Sequence, residues 1–290
     1  MLAKPHQILH DALAADYAIG AFNASNMEMV QAIVWAAEKL SSPVIVQTSE
    51  GAIEYATLET LSTLITSVAK TSSVPVVMHL DHGKSLDAVK HCIEAGYMSV
   101  MIDQSTLAFE QNIQNTKEVV EYAHARGVWV EAELGAIVGH EGVKDLNGST
   151  TPDSFFTDPR QAKEFVERTG VDALAVSVGT IHGAFTGQEY IRFELLKEIE
   201  AAVPDMPLVI HGASGIASKH LKQACEGHVV KVNVDTELRI AFERAAGVYV
   251  SQKHDSYDPR KMLGPAREAM QHVVEEKIKL FGSSKTAAIY

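Results

Sequence analysis

Val76-Val77-Met78-His79-Leu80-Asp81-His82-Gly83 is an apolar run that ends in a carboxylate, an imidazole and a glycine. The valines Val74, Val76 and Val77, bounded by Thr71-Ser72-Ser73 and Gly83-Lys84-Ser85, favour a short buried strand over the interior of a helix. Charged groups at such a tip are either hydrogen-bonded to the loop that leads into the next helix or placed there for chemistry. The surrounding chain decides between the two.

Working outward, the same pattern recurs: a short β-branched run, a polar or glycine-rich break, then an amphipathic stretch. Strands are expected at 18–23, 43–49, 74–82, 99–103, 128–134, 173–179, 207–212 and 229–234. The intervening segments carry helical spacing, as in Val30, Ile33, Val34 and Ala37 or Phe109, Ile113, Val120 and Ala123. Eight strand-helix units with near-continuous apolar strands fit a closed parallel (β/α)8 barrel of the α/β class, in which both faces of each strand are covered. A doubly wound open sheet is the alternative, but it gathers its site at one switch point. Here polar residues collect at nearly every strand end: Asn23, Ser49, Asp81, His82, Asp103, Glu133, the Gly179 to Gly183 and His211 to Gly215 stretches, and Asn233 to Thr236.

Two segments depart from the repeat. Residues 135–159, with Gly135, Gly139, Gly142 and Gly148, make a long loop of the kind that serves as a lid. Tyr257-Asp258-Pro259-Arg260 breaks the chain before a helical stretch at 265–281. The reading is a single barrel domain over 1–290 with a C-terminal helical extension at about 257–290.

The 290 residues suffice for one barrel, and 46% hydrophobic with 21% charged residues is the composition of an ordinary globular chain. A net charge of −12 argues against nucleic acid or an anionic membrane as the partner, so an anionic ligand must be captured by local geometry. The first residues lack the apolar core of a secretory signal and no run is long enough to span a bilayer, which points to the cytoplasm. Cys92 and Cys225 fall in expected helices far apart, giving no disulfide framework.

Three of the 13 histidines precede a glycine at a strand end: His82, His182 and His211. Strands three, six and seven of a barrel converge on one mouth, so three imidazoles can meet there with an open position, the composition of a catalytic zinc site. Isolated loop histidines with satisfied hydrogen bonds would give the same sequence. His79, two residues before Asp81 on the same strand face, is expected lower in the barrel, supporting the site rather than ligating. A phosphate site is expected where the loops after strands seven and eight, His211-Gly212-Ala213-Ser214-Gly215 and Asn233-Val234-Asp235-Thr236, lead into helices with small residues and hydroxyl donors.

These stretches, with Ser99-Val100-Met101-Ile102-Asp103, Val130-Glu131-Ala132-Glu133-Leu134-Gly135, Gly179-Thr180-Ile181-His182-Gly183 and the closing Phe281-Gly282-Ser283-Ser284, resemble the class II, zinc-dependent ketose-bisphosphate aldolases nearly end to end. The likeness is greatest to the fructose-1,6-bisphosphate enzymes of glycolysis and gluconeogenesis, with the tagatose-1,6-bisphosphate enzymes as close relatives. It implies catalytic zinc on His82, His182 and His211, a second divalent metal on Asp103 and Glu133, and a monovalent cation (Na+ or K+). It implies Asp81 as the group acting on the hydroxyl beside the cleaved bond. Dihydroxyacetone phosphate and glyceraldehyde 3-phosphate are the implied products. The ketose phosphate is expected against Gly183, Gly212, Ala213, Ser214, Asn233, Val234, Asp235 and Thr236, with Asn23 and Ser49 lining the pocket. Arg260 is expected on the far phosphate, reaching the neighbouring subunit of a homodimer or homotetramer.

The lid departs from the family, which usually carries Gly-Gly-Gln-Glu-Asp or Gly-Gly-Glu-Glu-Asp. This chain has Val138-Gly139-His140-Glu141-Gly142, keeping Glu141 as the proton-transfer carboxylate. Three readings compete: a fructose-bisphosphate aldolase, a tagatose-bisphosphate or other ketose-phosphate aldolase, and a sugar-phosphate-binding barrel without catalysis. The carboxylates Asp81 and Glu141 beside three histidines speak against the last. His211-Gly212-Ala213-Ser214 resembles the tagatose enzymes, whereas Asn233-Val234-Asp235-Thr236 and Tyr257-Asp258-Pro259-Arg260-Lys261 look more like the fructose enzymes. Lys231, inside the eighth strand, is the only Schiff-base lysine position, and its setting suggests a structural or phosphate-facing charge.

Overall fold

A computed structural model of the chain describes residues 1–137, 155–181, 191–252 and 257–287. The elements run α1(Pro5–Ala14), β1(Ile19–Asn23), α2(Met27–Leu40), β2(Val44–Ser49), α3(Glu50–Ala56), α4(Leu58–Thr71), β3(Val76–Gly83), α5(Leu86–Glu94), β4(Ser99–Ile102), α6(Phe109–His124), β5(Trp129–Leu134), α7(Pro159–Thr169), β6(Ala173–Val176), α8(Phe193–Ala202), β7(Leu208–Ile210), α9(Ser218–Ala224), β8(Val229–Val234), α10(Thr236–Ser251) and α11(Arg260–Leu280). The eight strands close into a parallel barrel, β1 pairing with both β2 and β8.

Alternation along the strands sorts their side chains. Outward residues such as Phe22, Val46, Met78, Val100, Val130 and Leu174 pack with the helices in the main apolar cluster. Inward residues Ile19, Ala21, Ile45, Val77, Met101, Trp129, Ala173, Ala175 and Val209 fill the lower barrel, where Ile8, Leu9 and Ala12 of α1 close the N-terminal end. Two residues further along the same inward rows the side chains turn polar: Asn23, Gln47, His79, Asp103, Glu131 and His211, all buried. The inward face thus passes from an apolar floor through a buried polar layer to the mouth within a few residues, as a period of two dictates.

The helices start where the sequence offers a cap. Asn26, Ser85 and Asp158 accept backbone N–H groups at the starts of α2, α5 and α7, and α7 ends on Gly170 in the left-handed region. Most expected boundaries move by a residue or two, and three of the shifts have a visible cause. β6 stops at Val176 because the Ser177 N–H donates to the Thr157 hydroxyl instead of a neighbouring strand. β7 stops at Ile210 because Gly212 is left-handed, with φ +64°. The last helix begins at Arg260, not Pro265: the Asp258 carboxylate accepts the Arg260 N–H, and Pro265 is carried inside the helix. That helix packs on α2 and α10, tied by Lys39–Glu275 at 2.7 Å and by the Ser42–Ser283 hydroxyl pair. None of the described helices is long and apolar enough to cross a membrane.

Candidate active site

Asp81 and His82 are consecutive, so a regular strand would point them to opposite faces. The β3/β4 register shifts between Leu80 and Gly83: Leu80 pairs with Val100, and Gly83 with Ile102. Three steps on β3 thus match two on β4, a bulge, and His82 sits in the left-handed region at φ +48°. For a residue other than glycine this conformation is strained. It brings His82 to the mouth with Asp81, whose Oδ1 lies 3.8 Å from His82 Nε2.

His211, at the end of β7, faces His82 with ring centroids 4.7 Å apart and planes at 86°. His82 Nε2 and His211 Nδ1 are 2.9 Å apart, while each ring's other nitrogen meets a carboxylate: His82 Nδ1 on Asp103 Oδ2 at 2.9 Å and His211 Nε2 on Glu131 Oε1 at 2.8 Å. Assigning the ring protons from these carboxylate partners turns the remaining two nitrogens toward each other with their acceptor sides. Such a pair needs a cation between them, a proton or a metal. Two nitrogens bound to tetrahedral zinc at 2.0–2.1 Å stand about 3.3 Å apart, so the rings at 2.9 Å would part by about 0.4 Å to take one between them, and the carboxylate-backed imidazoles are the donor set such a metal uses. Asp81, His82 and His211 form one group able to hold an ion, and His82, Asp103 and Glu133 form a second.

Burial sets the electrostatics. It disfavours a charged His82, but Asp81 and then Asp103 and Glu133 outweigh it and raise its pKa to about 10. His211 is driven well below the ordinary imidazole value by burial, by His82 and by Lys231. Burial and the neighbouring Asp103 push Glu133 up to about 8. Burial also opposes charge on Asp81, yet His82, His211 and Lys231 hold its pKa below the usual carboxylate value. Its oxygens are fixed: Asn23 Nδ2 donates to Oδ2 at 2.7 Å and Asn233 Nδ2 to Oδ1 at 3.1 Å.

Asn23 and Asn233, expected in the pocket, thus act first on Asp81. Gln47, which a search of strand ends alone does not reach, donates to Asn23 Oδ1 at 2.7 Å and sets that amide's orientation. A glutamine directly after the apolar run Val44-Ile45-Val46 and two residues before Ser49 is the signal that could have found it. His79 lies below, as expected, with Nδ1 2.6 Å from the Ser99 hydroxyl. Lys231 is inside the barrel, its ammonium 2.8 Å from Glu131 Oε2, so it faces a carboxylate below the strand ends.

A cavity of about 880 Å³ opens beside His82, lined by Ser25, Ser49, Glu50, Tyr55, Lys84 and Arg239 among others. Ser49 caps α3 at its edge, accepting the Ala52 N–H. Ala213 and Ser214 follow Gly212 in the turn before α9, and the Ser214 hydroxyl accepts the Glu237 N–H at 3.4 Å. Val234 ends β8, Asp235 pairs with Arg239 at 2.6 Å and Thr236 opens α10. The Arg260 side chain is 88% exposed and bonded to Asp258. His182, Gly183 and Glu141 lie outside the described residues.

The model of the family described as fructose-bisphosphate aldolase class-II matches residues 3–286. A fructose-bisphosphate aldolase of Thermus caldophilus is 42% identical, with 98% of this chain and 99% of that protein covered. One from Staphylococcus aureus is 41% identical with 99% of each covered. The crystal structure of the YdjI aldolase from Escherichia coli K12 superposes with a TM-score of 0.87 at 38% identity, covering 99% of this chain and all of that one. Full-length likeness, a closed parallel barrel and a mouth with two residue groups that could hold a metal agree: this chain belongs to the class II fructose-bisphosphate aldolase family, metal-dependent lyases acting on sugar phosphates.

Proposed function

We propose that the chain catalyses the zinc-dependent, reversible cleavage of fructose 1,6-bisphosphate to dihydroxyacetone phosphate and glyceraldehyde 3-phosphate. The observation that carries this reading is a buried carboxylate, Asp81, locked by two amides within 3.8 Å of an imidazole whose partner ring converges on the same point. A binding protein has no need of such a base.

His82, His211 and His182 would hold the zinc, which when bound would supply the Lewis acidity that a retro-aldol step needs at the ketone oxygen. Asp81 takes the proton from the C4 hydroxyl as the C3–C4 bond breaks, C4 becomes the aldehyde and the electron pair passes to the enediolate. Glu141 returns a proton to C3. Asp103 orients His82 and, with Glu133, can hold the second divalent ion. Backbone N–H groups of Gly212, Ala213, Ser214, Val234, Asp235 and Thr236, with Gly183 and a monovalent cation, receive the ketose phosphate. Ser49 and Arg260 serve the far phosphate. Assembly with further copies is supported by the exposure of Val248, Val250 and Tyr257, at 58%, 68% and 98%.

Fructose and tagatose bisphosphates differ only in C4 configuration, and His211-Gly212-Ala213-Ser214 favours the tagatose reading as the second choice. A coupled cleavage assay of both substrates, with and without chelator, tests the proposal. Faster turnover of the fructose ester, abolished by chelator, is expected; full activity after exhaustive metal removal refutes the zinc role, and preference for the tagatose ester refutes the specificity.

A further inference from the structure

The layer below the mouth is unlike the aliphatic filling usual in such barrels. Gln47, His79, Ser99, Glu131 and Lys231 occupy it, all buried, with Glu131 at 0% and Lys231 at 1% exposure. Glu131 divides its two oxygens. Oε1 meets His211 Nε2 at 2.8 Å, and Oε2 meets the Lys231 ammonium at 2.8 Å. Below them the barrel is apolar, floored by Ile19, Ile45, Val77, Met101 and Trp129. An ion pair buried this deeply is often no more stabilising than two well-packed apolar side chains, so stability alone does not account for it.

We infer that Glu131 and Lys231 are a positioning pair for the metal site: Glu131 holds the Nε2–H of His211 so that Nδ1 faces the metal, and Lys231 balances the Glu131 charge in the dry interior. The inference rests on the proposed metal-binding role of His211. Glu131 lies two residues before Glu133 on β5, and Lys231 two residues before Asn233 on β8, so both project inward one step below groups of the mouth. Neither reaches substrate. Their effect passes through the imidazole, whose orientation selects which nitrogen the metal can take. Asn233 Nδ2, 3.3 Å from His211 Nε2, is itself a donor and cannot accept that proton. The surplus of carboxylates around the histidines, Asp81, Asp103 and Glu133, makes a further unbalanced Glu131 costly and explains an ammonium at this depth.

The test measures zinc affinity of metal-free protein by competition with a chromophoric chelator, and the melting midpoint on the same samples. Lys231→Met and Glu131→Gln are each expected to weaken zinc binding by about 10- to 100-fold. The double variant E131Q/K231M contains no uncompensated charge; it is expected to regain the melting midpoint of metal-free wild type while its affinity stays at least about tenfold weak. If a single variant fails to fold, the double variant decides. Wild-type affinity in the double variant, or in both single variants, overturns the inference. A wild-type chain that binds no zinc overturns instead the reading on which it rests.

Discussion

Gly212 is the position at which local geometry and the site meet most tightly. It follows His211 directly, adopts φ +64°, and packs against the chain at Ile181. A Cβ built there meets the Ile181 carbonyl oxygen closest of all, with the carbonyl carbon at 2.6 Å and the nitrogen at 3.0 Å. Gly212→Ala therefore incurs two costs. The left-handed backbone costs an alanine roughly 1–2 kcal/mol. The contacts lie well inside the optimal carbon separation of about 3.5–4.0 Å, so one backbone must retreat by about 1 Å, bringing the total to roughly 3 kcal/mol. At about 2–4 °C per kcal/mol for a chain of this size, the melting midpoint should fall by roughly 6–12 °C.

The same displacement moves His211 against the residue preceding His182, and, with His211 in the proposed metal site, an error of about 1 Å there should cost on the order of 100-fold in rate. Scanning calorimetry and cleavage kinetics on one preparation read both effects. Gly247→Ala is the control: this exposed helical glycine has nothing within 4 Å of an added Cβ, so alanine should stabilise by about 0.5–1 kcal/mol. A Gly212→Ala protein with an unchanged midpoint and normal turnover would refute the close-approach argument.

Gln47→Leu removes the donor that orients Asn23, and with it the support of Asp81; kcat should drop by about 10- to 100-fold with KM little changed, and a rise in KM alone would contradict the role. Arg260→Ala should raise KM for the bisphosphate strongly while leaving binding of dihydroxyacetone phosphate, which lacks the far phosphate, unaltered; an equal loss for both ligands counts against it. The metal-free chain should melt at lower temperature as pH rises from 6.5 to 10. The folded pKa of His82 is raised to about 10, so its stabilisation is complete below 6.5 and fades at roughly 1.4 kcal/mol per pH unit as the unfolded imidazole loses its proton and the folded one keeps it. Glu133, raised to about 8, acts in the same direction between its ordinary value and 8, and added zinc should flatten the curve; a midpoint that is level or rises with pH in metal-free protein would falsify the assignment.

The barrel was legible because each strand is one β-branched run and each helix one amphipathic stretch, so period alone separates them. Its ends were less so. Whether β7 continues through Gly212 depends on where Ile181 lies, and whether β6 passes Ser177 depends on the Thr157 hydroxyl, 20 residues away in sequence. The last helix shows the converse: Pro265 marks a start locally, but the Asp258 carboxylate moves that start to Arg260.

The site divides along the same line. Asp81, His82, His211, Asp103 and Glu133 announce themselves as polar groups at strand ends. Gln47, Glu131 and Lys231 do not, because a polar residue within a strand is ambiguous until its inward neighbours are known. The bulge at Asp81 and His82 is the sharpest case. Two adjacent polar residues at a strand tip suggest a shared site, yet alternation alone would separate them across the sheet. Only the offset against β4 and the left-handed backbone at His82 resolve this, and that offset belongs to the pairing of two strands rather than to either sequence. The adjoining glycine holds the strain in place: Gly83 sits so close to the Met101 carbonyl that a Cβ there would approach it to 2.6 Å, leaving β3 no regular extended path past β4 with a larger residue in place. The glycine that ends the opening motif therefore serves the bulge, and through it the position of the imidazole one residue before.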